Sequence, residues 1–311
     1  MARTWIIPAG AGVLSALLFL SIAIGSAGAV ILGYLAPLPL FAMGLGAGLI
    51  SAATAGATAT ALVGLIAGLI PALTFAALLV APAVVLIRQA LLSRIDADGR
   101  LEWYPPGRLV MWLTGIGAVL FLAASLFASG SRSVEDRLRR RAERAAQPAS
   151  RGRAGGAAPV AGRPVGGLPS IILVSSWMTM VAINGILAQG LLSRFQHNLR
   201  PSPAIGAIEL PRSIGLATAA AALVAALASG WLEFASRNLL VMLGFAFFFA
   251  GLGVVHGLLR RAGHPQFVLV GFYVFTLAFF WSGWPILLLA VIGFIDHWVH
   301  FRQRFGGSTG V

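Results

Sequence analysis

The chain has 311 residues, of which 59% are apolar and only 10% charged. A soluble domain carries about 25% charged residues, so this chain lacks the polar surface that water requires, and lipid is the solvent it suits. All 22 basic residues are arginine, the net charge is +13 and cysteine is absent; this excludes disulfides, thiolate metal sites and thiol nucleophiles.

A helix needs roughly 20 apolar residues to cross the hydrocarbon core. The first such run covers residues 5–25. A cleaved signal peptide is the rival reading. The run is longer than a signal core and the next apolar run follows at once, so a retained span is expected. Residues 26–92 are almost continuously apolar, with breaks at Pro37, Pro39, the 44–48 stretch and Pro71. Three spans are expected there, near 27–44, 46–68 and 70–91. Gly44/Gly48 and Gly64/Gly68 have the small-xxx-small spacing that lets helix backbones approach closely in lipid. Internal packing and a docking face for a membrane partner both fit it. Residues 94–108 form a polar loop containing Asp96, Asp98 and Glu102. Their spacing is not that of a calcium loop, and a solvated turn beside interfacial Trp103 and Tyr104 is expected. Residues 109–128 are the fifth span.

The longest polar stretch, 131–169, is rich in Arg, Ala, Gly and Pro. A short helix from Ser133, with acids in its first turn, is expected to lead into a flexible linker over 145–167. The stretch divides the chain into an N-terminal membrane half (1–130) and a C-terminal membrane half (170–302), followed by a tail (303–311). The second half holds spans near 171–192, 212–230, 238–259, 267–282 and 285–301. The 193–212 loop between the first two carries Pro201, Pro203 and Pro211 and should be non-helical. The expected class is an all-α integral membrane protein of about ten transmembrane helices, nine being possible. Arginine placement sets orientation. Ten spans put both termini, the 93–108 and 193–212 loops and Arg260 in the cytoplasm, with 131–169 outside despite its arginines. Nine spans put that connection inside.

Polar groups within the bilayer are costly and are functional candidates for that reason. Asn184, Gln189 and Asp296 form the candidate intramembrane polar site. Interhelical hydrogen bonding is the structural alternative for Asn184 and Gln189. For Asp296 it is an ion pair with Arg302 or Arg304. Asp296 and His300 share a helix face, but two ligands are too few for a closed metal site. Glu233 and Arg237 have the spacing of an i,i+4 pair. The chain contains no Walker or His-Glu-x-x-His sequence, so no catalytic residue, metal or cofactor is expected.

Four short motifs, in order, carry a family resemblance: Pro37-Leu-Pro39-Leu-Phe41; Arg200-Pro-Ser-Pro203 followed by Glu209-Leu-Pro211; Gly251-Leu-Gly-Val-Val-His256 leading to Arg260-Arg261; and Gly293-Phe-Ile-Asp296-His-Trp-Val-His-Phe-Arg302. With them the chain resembles the YybS-like family of predicted bacterial membrane proteins, catalogued as a domain of unknown function. The resemblance implies the ten-span order. It also implies a distant similarity to the substrate-binding components of energy-coupling-factor transporters, which dock a transmembrane coupling partner through small-residue helices.

The resulting expectation is a multi-pass protein of a bacterial inner membrane. Its leading role is a transport-type component that binds a small molecule and has no ATPase of its own. The alternative is a membrane scaffold or assembly factor with no ligand. The lipid bilayer is the expected partner, a membrane protein docked on small-residue faces is a possible second one, and nucleic acid is not expected, because the arginines lie between apolar runs or at their ends.

Overall fold

The computed structural model describes residues 3–125, 168–204, 206, 208–260, 264–279 and 282–299. The expectations for the 131–167 connection, the 303–311 tail, Arg261, His300, Arg302 and Arg304 lie outside the described residues.

Helix α1 (Arg3–Leu20) tightens into a 3-10 turn at Ser21–Ile24. Then come α2 (Ala27–Tyr34), α3 (Leu38–Ala47) and α4 (Leu49–Ala67). The next segment is α5 (Leu69–Phe75), a π turn at Ala76–Val80 and α6 (Ala81–Ala90). A two-stranded antiparallel hairpin, β1 (Ser93–Ile95) and β2 (Leu101–Trp103), precedes α7 (Pro106–Ser125). The second half holds α8 (Leu168–Arg194), α9 (Ser213–Leu227), α10 (Trp231–Leu259), α11 (Pro265–Ala278) and α12 (Trp284–Val299). By length and composition Trp5–Ile24, Ala27–Ala47, Leu49–Ala67, Leu69–Ala90, Pro106–Ser125 and Trp231–Leu259 can each cross a membrane. The apolar helices α9, α11 and α12 are shorter, at 15, 14 and 16 residues. The all-α expectation is amended at one place. The polar loop before α7 is a β-hairpin, because Asp96 and Gly99 close a tight turn: Gly99 has φ +76° and its N–H donates to Asp96 O at 2.9 Å.

Gly48 and Gly68 end helices rather than pack them. Both hold the same backbone conformation (φ +94° and +93°), which an L side chain rarely adopts. Each N–H closes the preceding helix, on Gly44 O and Gly64 O respectively. The next helix starts at the very next residue. A Cβ on Gly64 would touch Ala72, and one on Gly56 would run into Val80, so the partners lie symmetrically about Gly68. The chain therefore reverses there within one residue. Gly44 faces the Ile87 side chain. The two small-xxx-small spacings thus arise from a helix-ending glycine that follows one turn after an interior one.

Packing is inside-out relative to a soluble bundle. Alanines 16, 52, 55, 59 and 246 are buried, while Leu65, Leu69, Leu216, Leu227 and Phe267 are largely exposed. In lipid a large aliphatic chain gains nothing by turning inward, so small residues set how closely helices pack. The most extensive helix pair is α10 with α12. Gly251 and Gly293 meet there: a Cβ on Gly293 would lie 2.6 Å from Gly251 N, and one on Gly251 would lie 3.0 Å from Gly293 N. The two backbones touch directly, with Phe247 and Phe294 edge to face one turn away. In the N-terminal half α1 packs on α4, where Gly12 meets Ala55 and Thr58.

Replacing Gly293 by Val must force α10 and α12 apart, and overpacking of this kind costs about 1–3 kcal/mol. The expected outcome is a lower unfolding midpoint in detergent. Gly271→Ala, where nothing lies within 4 Å of an added Cβ, should leave the midpoint unchanged or slightly raise it.

Candidate functional site

The second segment long and apolar enough to cross a membrane is broken near its middle. Pro37 and Pro39 have no N–H to donate, and α2 stops at Tyr34 while α3 starts at Leu38. Between them the backbone bonds tighten: Ala36 N donates to Gly33 O and Leu38 N to Leu35 O. The carbonyls of Tyr34 and Ala36 are left over. In lipid such a group costs several kcal/mol unless a side chain reaches it. Two side chains do. Ser15 of α1 donates to Ala36 O at 2.6 Å. Asn184 of α8 donates to Tyr34 O at 2.7 Å and to Met180 O at 2.8 Å. Both residues are buried, Asn184 with 1% of its surface exposed. The two carbonyls fix the amide orientation, because only its NH2 can donate. Asn184 Oδ1 is thereby turned away and has no hydrogen-bond partner among the described residues. Tyr34 also reaches α8 through its hydroxyl, which bonds Ser176 Oγ.

The fourth segment repeats the problem. Pro82 cannot donate to Leu78 O, four residues back, and the helix widens into the π turn just before it. Trp177 Nε1 donates to Leu78 O at 2.8 Å. Trp177 and Asn184 are seven residues apart, two turns of α8, so they lie on one face of that helix. The face serves the segments interrupted at Pro37 and at Pro82.

Gln189 belongs to a different constellation, at the end of α8. Its amide donates to Arg200 O at 2.8 Å and to Ser202 Oγ at 3.3 Å. Arg200 is 5% exposed. Its guanidinium donates to Ala90 O at 3.0 Å and Tyr104 O at 2.8 Å and stands over the Trp103 ring at 6.0 Å. Ala90 ends α6, so the charge sits at the negative end of that helix. Burial lowers the Arg200 pKa from its ordinary value. The 193–212 loop is non-helical over its middle, as expected, and touches α3, α7 and α10. Leu199 N donates to Leu45 O, Gly107 abuts the Glu209 backbone, and Gly206 lies near Gly257.

Asp296 is buried in α12, one turn past the Gly251–Gly293 contact. The structure gives Asn184 and Gln189 different partners and puts Asp296 on another helix. Asn184 meets the broken helix, Gln189 meets the loop, and Asp296 lies on the helix that packs chiefly on α10. Gly215 lies against His297, which points toward α9. Among the described residues no three His, Cys, Asp or Glu side chains are grouped as metal ligands. The expected Glu233–Arg237 pair is formed at 2.6 Å, but within the first two turns of α10, which starts at Trp231, rather than in a short outer turn before the span. Buried Asn238, which donates to Phe234 O at 2.8 Å, is a polar residue the sequence reading passed over because it lies at the edge of an apolar run. Ser15 was hidden for another reason: a lone serine in an apolar run looks neutral until the carbonyl it meets is known.

Asn184→Leu and Trp177→Phe each strip a donor from a lipid-buried carbonyl and should lower stability by about 1–2 kcal/mol. The measurement is the unfolding midpoint in mixed micelles. Leu187→Ala, at an exposed position on the same helix, serves as control. Unchanged midpoints in both variants would show that these carbonyls are satisfied in another way.

Comparison with known proteins agrees with the membrane character of the chain. The model of a family described as "Predicted membrane protein (DUF2232)" matches residues 165–297, that is, α8 to α12. No curated protein and no solved structure matches. The chain is a membrane protein with several apolar transmembrane helices, and its C-terminal half is similar to that family of predicted membrane proteins.

Proposed function

We propose that this protein is a transport-type component that binds a small molecule within the membrane and has no nucleotide site of its own. One observation carries the reading. A helix is interrupted inside the bilayer, and beside the break a fully buried carboxamide holds an acceptor oxygen, Asn184 Oδ1, that nothing among the described residues uses. Irregular backbone at membrane depth is tolerated where it is covered by protein or lines a cavity. Interrupted helices near the midplane are where secondary transporters build substrate and ion sites. An unused buried acceptor costs about 1–3 kcal/mol, which a donor group on a ligand would recover.

The scaffold alternative leaned on Gly44, Gly48, Gly64 and Gly68 as a docking face. Those glycines serve the chain's own turns and contacts, which weighs against it. The ten-span order and the cytoplasmic orientation also belong to this proposal. Arg88, Arg94, Arg108, Arg194, Arg212 and Arg260 lie at or just beyond helix ends on the side of the 93–108 and 193–212 loops, which favours the cytoplasm for that side, although the same ten-span order puts the arginines of 131–169 outside. A bacterial inner membrane is the location this implies.

The test is saturable ligand binding in nanodiscs, screened across classes of small polar metabolite by thermal shift. The protein should bind one class, Asn184→Ala should lose that binding, and Trp177→Phe, with a similar loss of stability, should keep it. Co-purification with one fixed membrane protein and no ligand in any class would replace the transport reading with the scaffold.

A further inference from the structure

The β-hairpin between α6 and α7 has two chemically different faces. Cross-strand partners share a face and successive residues alternate. The register pairs Ser93 with Trp103, Arg94 with Glu102 and Ile95 with Leu101. One face therefore carries Ile95, Leu101 and Trp103. The other carries Arg94 and Glu102, joined by an ion pair at 2.7 Å. The charged pair is fully provided for, whereas Ile95 and Leu101 are 75% and 56% exposed. These residues lie outside the membrane-crossing helices, so the hydrocarbon core does not account for their exposure.

The hairpin is held at a fixed depth. Its base is closed by Tyr104 N donating to Leu92 O at 2.9 Å, and Arg200 ties Ala90 and Tyr104 together. Tyr104 also accepts from Trp112 Nε1 of α7 at 3.1 Å and stacks under Arg108 at 5.9 Å. A Trp-Tyr-Arg group of this kind marks the boundary between hydrocarbon and headgroups. A three-residue strand rises about 10 Å, and the headgroup layer on each side is roughly 5–8 Å thick. A hairpin rooted at that boundary lies within the layer or barely clears it. Exposed Arg88, Arg94, Arg100 and Arg108 flank it, a complement to anionic headgroups.

We propose that the apolar face of this hairpin is a lipid-binding surface. Ile95 and Leu101 insert into the headgroup layer of the bilayer the chain spans, and the flanking arginines favour anionic phospholipid there. The inference is independent of any transported ligand.

The absence of native cysteine permits single-site labelling of the full chain. Nitroxides at Ile95→Cys, Leu101→Cys and Glu102→Cys are compared in nanodiscs of phosphatidylcholine alone and of phosphatidylcholine with phosphatidylglycerol. The readout is collision with lipid-soluble oxygen against a water-soluble nickel chelate. The expected oxygen-to-nickel ratio is several-fold higher at 95 and 101 than at 102, and higher still with phosphatidylglycerol. Nickel access at 95 and 101 equal to that at 102 would overturn the proposal, since the face would meet water. Shielding from both probes would overturn it in favour of a protein on this face. Equal ratios in the two lipids would overturn the preference for anionic headgroups.

Discussion

Every backbone carbonyl inside the bilayer must find a donor, and Pro37, Pro39 and Pro82 each remove one from a membrane-crossing segment. That constraint organises the rest. The break between α2 and α3 leaves Tyr34 O and Ala36 O without backbone partners, and Pro82 leaves Leu78 O without its own. Water cannot serve these groups, so other helices must. Ser15 comes from α1. Asn184 and Trp177 come from one face of α8, about 100–150 residues away in sequence. The first helix of the C-terminal half is thereby a structural part of the N-terminal half. Six threonines of the apolar helices follow a local rule. Thr54, Thr58, Thr74, Thr114, Thr179 and Thr218 each donate to the carbonyl four residues back, which disposes of the hydroxyl without a partner helix.

The same long-range logic holds at the end of the bundle. Arg200 lies on an irregular loop, yet it is among the most buried charged residues described. Its guanidinium fastens the end of α6 and the start of α7, while its carbonyl takes hydrogen bonds from Gln189 and Asn198. The helix dipole of α6 and the Trp103 ring stand in for a carboxylate. In this way the loop that the sequence marks only by its prolines joins the two membrane halves across their common face.

Much of the architecture was legible in advance because lipid makes simple demands. A run of some 20 apolar residues is a span whatever it packs on, and prolines mark breaks wherever they fall. The predicted runs coincide closely with the helices described, and the 193–212 loop was readable from Pro201, Pro203 and Pro211. The hairpin was missed because three-residue strands of mixed charge have no detectable periodicity. The joint site of Asn184, Gln189 and Asp296 could not be judged from sequence, since helical phase places side chains on a face without saying which helix is opposite. The structure gives Asn184 and Gln189 separate partners.

Composition and periodicity alone thus determined the solvent, the apolar segments and where prolines interrupt them, because each depends only on transfer to lipid and on local backbone chemistry. The tertiary structure alone decided which glycines turn the chain and which pack, why Gly251 must meet Gly293, and that Asn184 and Trp177 answer carbonyls of the other half. Those outcomes depend on which backbone stands opposite, and that is a property of how the helices assemble in three dimensions.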